Sequence, residues 1–176
     1  MAVWNVINHT ELGASGAGSM DWSSIPSSYD HLCIVASVRG DTASHCPGFY
    51  VRFNNDSGAN YNNVRMDGYD TGGISSAEST DQTSADHGKY NGASSAANCF
   101  TPIELWIFDY ANTSRKKAMH GTWNPLGTSV TGWQWAAGVH ASQWESTAAI
   151  NQVTIFPDAD DFVQYSAFTL YGIEGA

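Results

Sequence analysis

Six histidines, His9, His31, His45, His87, His120 and His140, are the side chains of this sequence best suited to metal or acid–base chemistry. No two stand at HxH or HxxxH spacing, so a zinc site would have to be assembled across strands rather than along one. Asp56 is the candidate ligand for a hard cation, with Asn54, Asn55 and Asn60 as further oxygen donors. The competing reading is a hairpin turn whose Asn and Asp side chains bond their own backbone. The spacing is not that of an EF-hand and no bidentate Glu follows, so the turn is favoured. Asp158, Asp160 and Asp161 follow Pro157 and read as a solvated loop.

Nucleophilic chemistry finds less support. Ser, His and Asp are all present, yet no GxSxG elbow surrounds any serine. Gly13, Gly16 and Gly18 form neither a P-loop nor a GxGxxG. Glu104 and Asp109 differ by an odd number of residues, so an unbroken strand would point them to opposite faces. No catalytic residue, cofactor or enzyme activity is expected. The aromatic residues are more suggestive. Trp133 and Trp135 share one face of a strand, with Trp123 and Trp144 flanking the region. Exposed, these indoles would stack on sugar rings; buried, they fill a sandwich core or a subunit interface. Trp133, Trp135 and Trp144 are therefore candidate interface or glycan contacts, the core or interface being favoured.

The elements that would position these residues are short and extended. Charged residues make up only 14% of the 176, and 17 Gly stand among many Ser, Thr and Asn. That composition suits turns and polar sheet faces better than a solvated helical bundle. Leu32 to Val38 reads as a central strand, and Phe49 to Phe53 alternates with Phe49, Val51 and Phe53 inward. Ile103 to Tyr110 is the strongest strand, with Lys116 to Trp123 pairing back on it. Gln134 to Ala141, Ile150 to Phe156 and Ala167 to Ile173 complete about nine strands. Ser142 to Ala148 has room for one helical turn. The tract 72–98 is rich in small residues and reads as a long surface loop. The expectation is one all-β domain over 1–176, an antiparallel, jelly-roll-like sandwich.

Seven Lys+Arg against 17 Asp+Glu give a formal net charge of −10. Such a surface repels phosphate backbones and anionic membranes, so neither nucleic acid nor membrane is an expected partner. No secretory leader or apolar membrane span is visible. Cys33, Cys46 and Cys99 are an odd set without CxxC spacing, and they are expected to be reduced.

Several runs resemble a family of small tailed-bacteriophage virion proteins. They include Leu12-Gly13-Ala14-Ser15, Trp22-Ser23-Ser24-Ile25-Pro26, and most specifically Arg52-Phe53-Asn54-Asn55-Asp56-Ser57-Gly58-Ala59-Asn60-Tyr61. Ile103-Glu104-Leu105, Ser146-Thr147-Ala148-Ala149-Ile150 and Phe168-Thr169-Leu170-Tyr171-Gly172-Ile173 extend the likeness along the chain. The resemblance implies a structural role in the virion, as a capsid decoration (cement) protein or as a tail or tail-fibre component. The compact single domain favours decoration: a homotrimer made in the host cytoplasm, placed on the capsid surface, and partnered by the major capsid protein and other virion proteins. The alternative is a receptor-binding tip that recognises host surface glycans.

Overall fold

The computed structural model describes residues 3–70, 72–125 and 136–175. The described residues form twelve strands and no helix, with every strand pairing antiparallel. In chain order these are β1 (Val3–Glu11), β2 (Met20–Trp22), β3 (His31–Val38), β4 (Gly48–Phe53), β5 (Tyr61–Tyr69) and β6 (Ile74–Gln82). The second half holds β7 (Ala85–Lys89), β8 (Thr101–Phe108), β9 (Lys117–Trp123), β10 (Ala136–Trp144), β11 (Val153–Pro157) and β12 (Ala167–Glu174). They assemble two unequal sheets. The larger runs β1-β12-β3-β8-β9-β10-β5-β6 and the smaller β2-β11-β4-β7. The all-β sandwich is as the alternation of apolar residues predicts.

The inner faces explain the pairing. Leu32, Ile34, Ala36 and Val38 of β3 lie beside Ile103, Leu105 and Ile107 of β8 and Phe168 and Leu170 of β12, all buried. Phe49, Val51 and Phe53 of β4, with Val153 and Ile155 of β11, close the core from the smaller sheet. A slip of one residue would turn each row outward, so burial fixes the register. At about 25 cal/mol per Å² of apolar surface removed from water, these rows are the main source of stability. β8 stops at Phe108 because Asp109 takes a left-handed φ of 46°, after which β9 returns as its hairpin partner.

Three expectations need correction. The described residues form twelve strands rather than about nine, the short β2 and the polar β6 and β7 being among the additions. The tract 72–98 is not a long surface loop: it contains β6, which pairs with β5, and β7, which pairs with β4. β6 is an edge strand made of Ile-Ser-Ser-Ala-Glu-Ser-Thr-Asp-Gln and is mostly exposed, so it carries no apolar alternation to read. β7 is disguised by Gly88, whose φ of +120° no L side chain adopts comfortably. Ser142 to Ala148 holds no helical turn, because β10 extends through Trp144.

Candidate functional site

Polar side chains gather in one quarter of the sandwich interior, where β7 lies over β10, β5 and β9. Inward positions there carry Asn63, Arg65 and Asp67 on β5, His140 and Ser142 on β10, and His87 on β7. Arg65 bridges two carboxylates, Asp67 at 3.3 Å and Asp86 at 2.9 Å. His140 Nδ1 lies 3.1 Å from the Asp86 carbonyl oxygen, which can only accept, so Nδ1 carries the proton. Its Nε2 accepts the indole N–H of Trp123. His140 is therefore a neutral imidazole. Burial holds it below the ordinary histidine range, against the pull of the Asp86 and Asp67 charges.

His87 is more isolated. Neither ring nitrogen makes a hydrogen bond of good geometry, although the Glu104 main-chain carbonyl lies near the ring, which packs 5.4 Å from Phe49 and 5.6 Å from His140, centroid to centroid. Burial, and then the neighbouring His140 and His120, push its pKa well down. The Glu104 main-chain carbonyl leans the other way without overcoming them. Trp123 closes this region through a slot between two glycines. A Cβ on Gly88 or on Gly138 would run into its indole ring. Ser142 donates to Asn63 Oδ1 at 2.7 Å rather than to a histidine, so no base stands ready to activate it.

Asp56 sits in the β4–β5 turn, and its carboxylate is spent on that turn. It accepts from Trp144 Nε1 at 2.7 Å, the Gly58 N–H at 2.8 Å and Asn60 Nδ2 at 2.9 Å. Desolvation opposes its ionised form, yet the bonds from Trp144, Gly58 and Asn60 outweigh it and hold the carboxyl below its usual value. Asn54 and Asn55, at φ of 51° and 57°, complete a left-handed turn. Trp144 is correspondingly an interior residue, 3% exposed, packed on Phe53 and Tyr61, and it presents no ring face outward. Trp133 and Trp135 lie outside the described residues. Among the described residues no group of three or more His, Cys, Asp or Glu is placed to hold a metal ion. Cys33, Cys46 and Cys99 are free thiols.

The exposed chemistry lies on the outer face of the eight-stranded sheet, where sequence reasoning did not look. Val64, Met66, Ile74 and Val139 stand about half exposed or more across β5, β6 and β10. Met66, Ile74 and Val139 border an open cleft of about 620 Å³ whose lining also includes Val35, Pro102, Asp67 and Trp123. A second cleft of about 500 Å³ opens at the other end of the same strands, beside Val64, Phe108 and His120. Toward β1 the surface becomes aromatic. Trp4 and Trp106 meet edge to face at 5.2 Å, Trp4 and Tyr171 at 5.5 Å, and Phe108 stacks on His120 at 5.2 Å. The signal was present in sequence as the outward half of β8, Pro102, Glu104, Trp106 and Phe108.

These observations define an antiparallel β-sandwich with a polar internal brace and an apolar outer sheet face. No family model matches the chain, and no curated protein matches it. Among solved structures it is similar to the galectin LEC-6 of Caenorhabditis elegans, with 4% identity over 96% of each chain and a TM-score of 0.36.

Proposed function

We propose that the chain is a non-enzymatic structural protein of a tailed-bacteriophage particle, a capsid decoration protein that docks through the β5–β6–β10 half of its outer sheet face. The observation that carries this reading is the aliphatic patch of Val64, Met66, Ile74 and Val139, Ile74 being 81% exposed. A contiguous apolar patch of this kind on a protein surface marks an interaction site.

Charge selects the occupant. Six of the seven cationic side chains are engaged within the chain. Arg65 holds two carboxylates, Arg115 and Lys116 pair with Asp109 and Glu145, Arg39 donates to main-chain carbonyls, Arg52 lies over Phe156 and Lys117 is buried. The net charge of −10 is thus presented outward, and it disfavours a second copy on this face. A capsid subunit whose apolar spot is ringed by basic residues fits both properties. A protein that binds the assembled shell but not free subunits stabilises the shell by mass action. The homotrimer belongs to the same proposal; the free edge of β6 leaves main-chain groups for pairing between copies.

The test is re-binding of purified protein to particles that lack it. Replacing Met66 and Val139 by Glu should abolish attachment; both residues are exposed, and because they face each other across β5 and β10 the paired like charges should cost no more than about 1 kcal/mol and leave the chain folded. Undiminished attachment of that double variant would refute the docking face. The tail or fibre-tip reading is favoured by a different observation, the outward-facing indoles of exposed Trp4 and half-buried Trp106.

A further inference from the structure

We propose that the outer corner formed by Trp4, Trp106 and Tyr171 is a binding site for a neutral oligosaccharide, with Glu104 accepting a sugar hydroxyl. The site is separate from the aliphatic docking patch and holds whether the chain sits on a head or on a tail.

The corner is built by four adjacent strands, β1, β12, β3 and β8. Register places Trp106 beside Cys33 and Cys33 beside Tyr171, all on the outer side of the sheet. Cys33 is nevertheless 0% exposed, so the rings of its neighbours close over it. Burial, and then the Glu104 charge, push its thiol up to about 12, and it stays a small apolar floor rather than a reactive group. On that floor Trp106 is held fast. Its indole N–H donates to Glu104 Oε1 at 2.7 Å, and its ring lies within 12° of parallel to Phe108. Trp4 stands at 88° to it and is 48% exposed. The pair makes a rigid L whose walls are aromatic and whose side carries a carboxylate.

That shape and chemistry choose among ligands. The flat apolar face of a pyranose stacks on an indole, and its rim of hydroxyls needs acceptors nearby; Glu104 offers a second carboxylate oxygen beside the ring it orients. β1, β12, β3 and β8 contain no Lys or Arg, whereas Glu11, Glu104 and Glu174 lie on them. Sialic or uronic acid sugars would be repelled. Neutral hexoses and N-acetylhexosamines are the class that fits. A protein partner is the competing occupant of any aromatic surface, and the experiment separates the two.

Full-length chain is applied to an array of glucose, galactose, mannose and N-acetylhexosamine oligosaccharides alongside sialylated and uronic acid glycans. Binding confined to neutral sugars is expected, competed by the same free oligosaccharide. Trp4→Ala and Trp106→Ala should each weaken it about tenfold or more. Glu104→Gln should weaken it while keeping the unfolding midpoint, and the Met66→Glu, Val139→Glu protein should bind the array unchanged. Absence of neutral-glycan binding, binding of acidic glycans alone, or binding indifferent to Trp4→Ala and Trp106→Ala would each overturn the proposal. Because Trp4 is half exposed on an edge strand, its variant remains a fair test if Trp106→Ala fails to fold.

Discussion

His87 and His140 make a quantitative prediction about acid. Both are buried and neutral in the folded chain, with pKa values below the ordinary range, whereas in the unfolded chain each titrates at about 6.5. The unfolded state therefore binds more protons than the native state once pH falls below that value. Stability is full above it and declines as pH drops toward the native pKa, at about 1.4 kcal/mol per pH unit for each histidine. Between pH 7 and pH 5 the loss is up to about 2 kcal/mol for His87, whose pKa is pushed well down, and His140 adds a contribution of the same sign. Replacing His87 by Leu fills the same space beside Phe49 with no orphaned ring nitrogen. The variant should match or exceed the parent at pH 7, because an unsatisfied buried polar group costs about 1–3 kcal/mol. It should also lose less stability than the parent on acidification. Urea unfolding followed by tryptophan emission at several pH values between 5 and 7.5 measures both. Asp56 does not confuse the window, because its depressed carboxyl contributes stability that disappears only as pH falls below about 3.9 and through its native value. An identical pH slope in parent and His87→Leu would refute the placement of a neutral histidine in the core.

Other consequences follow from single contacts. Trp144→Phe removes the donor to the Asp56 carboxylate and should cost about 1.5–3 kcal/mol in chemical denaturation, with the Asp56 pKa rising toward normal in NMR titration. Gly138→Ala should cost at least about 1–3 kcal/mol, since its Cβ would enter the Trp123 ring, and should blue- or red-shift the emission of that indole. Calcium or a chelator should leave the thermal midpoint unchanged, because the Asp56 oxygens already accept from Trp144, Gly58 and Asn60; a clear upward shift with calcium would show the turn to be a cation site after all.

How far the sequence could be read depends on which side of a strand carried the signal. β3, β4 and β8 alternate cleanly or run apolar, and the sheet pairing follows their inward rows. The Asn54-Asn55-Asp56 turn was legible because those side chains tolerate left-handed backbone. β6 was not, since an exposed edge strand of Ser, Thr and Ala buries nothing that periodicity could register. The polar brace was hidden for another reason. Asp67, Asp86, His87 and His140 are scattered over three strands, and only the β5–β10 register with β7 laid across it brings them together. Trp144 was legible as an aromatic with a choice of places, because indole spacing does not say which side faces solvent; the hydrogen bond to Asp56 turns it inward. The outer aromatic corner was missed because β1 and β8, some hundred residues apart in the chain, join only through β12 and β3.

The docking claim is tested most directly by an image reconstruction of the purified particle at a resolution that shows strands. Density for this sandwich is expected on the capsid surface, with Val64, Met66, Ile74 and Val139 seated against a shell subunit and Trp4 and Trp106, toward the β1 edge of the same face, left accessible beside the contact. A particle without the chain, or one in which that aliphatic face points into solvent, would contradict it.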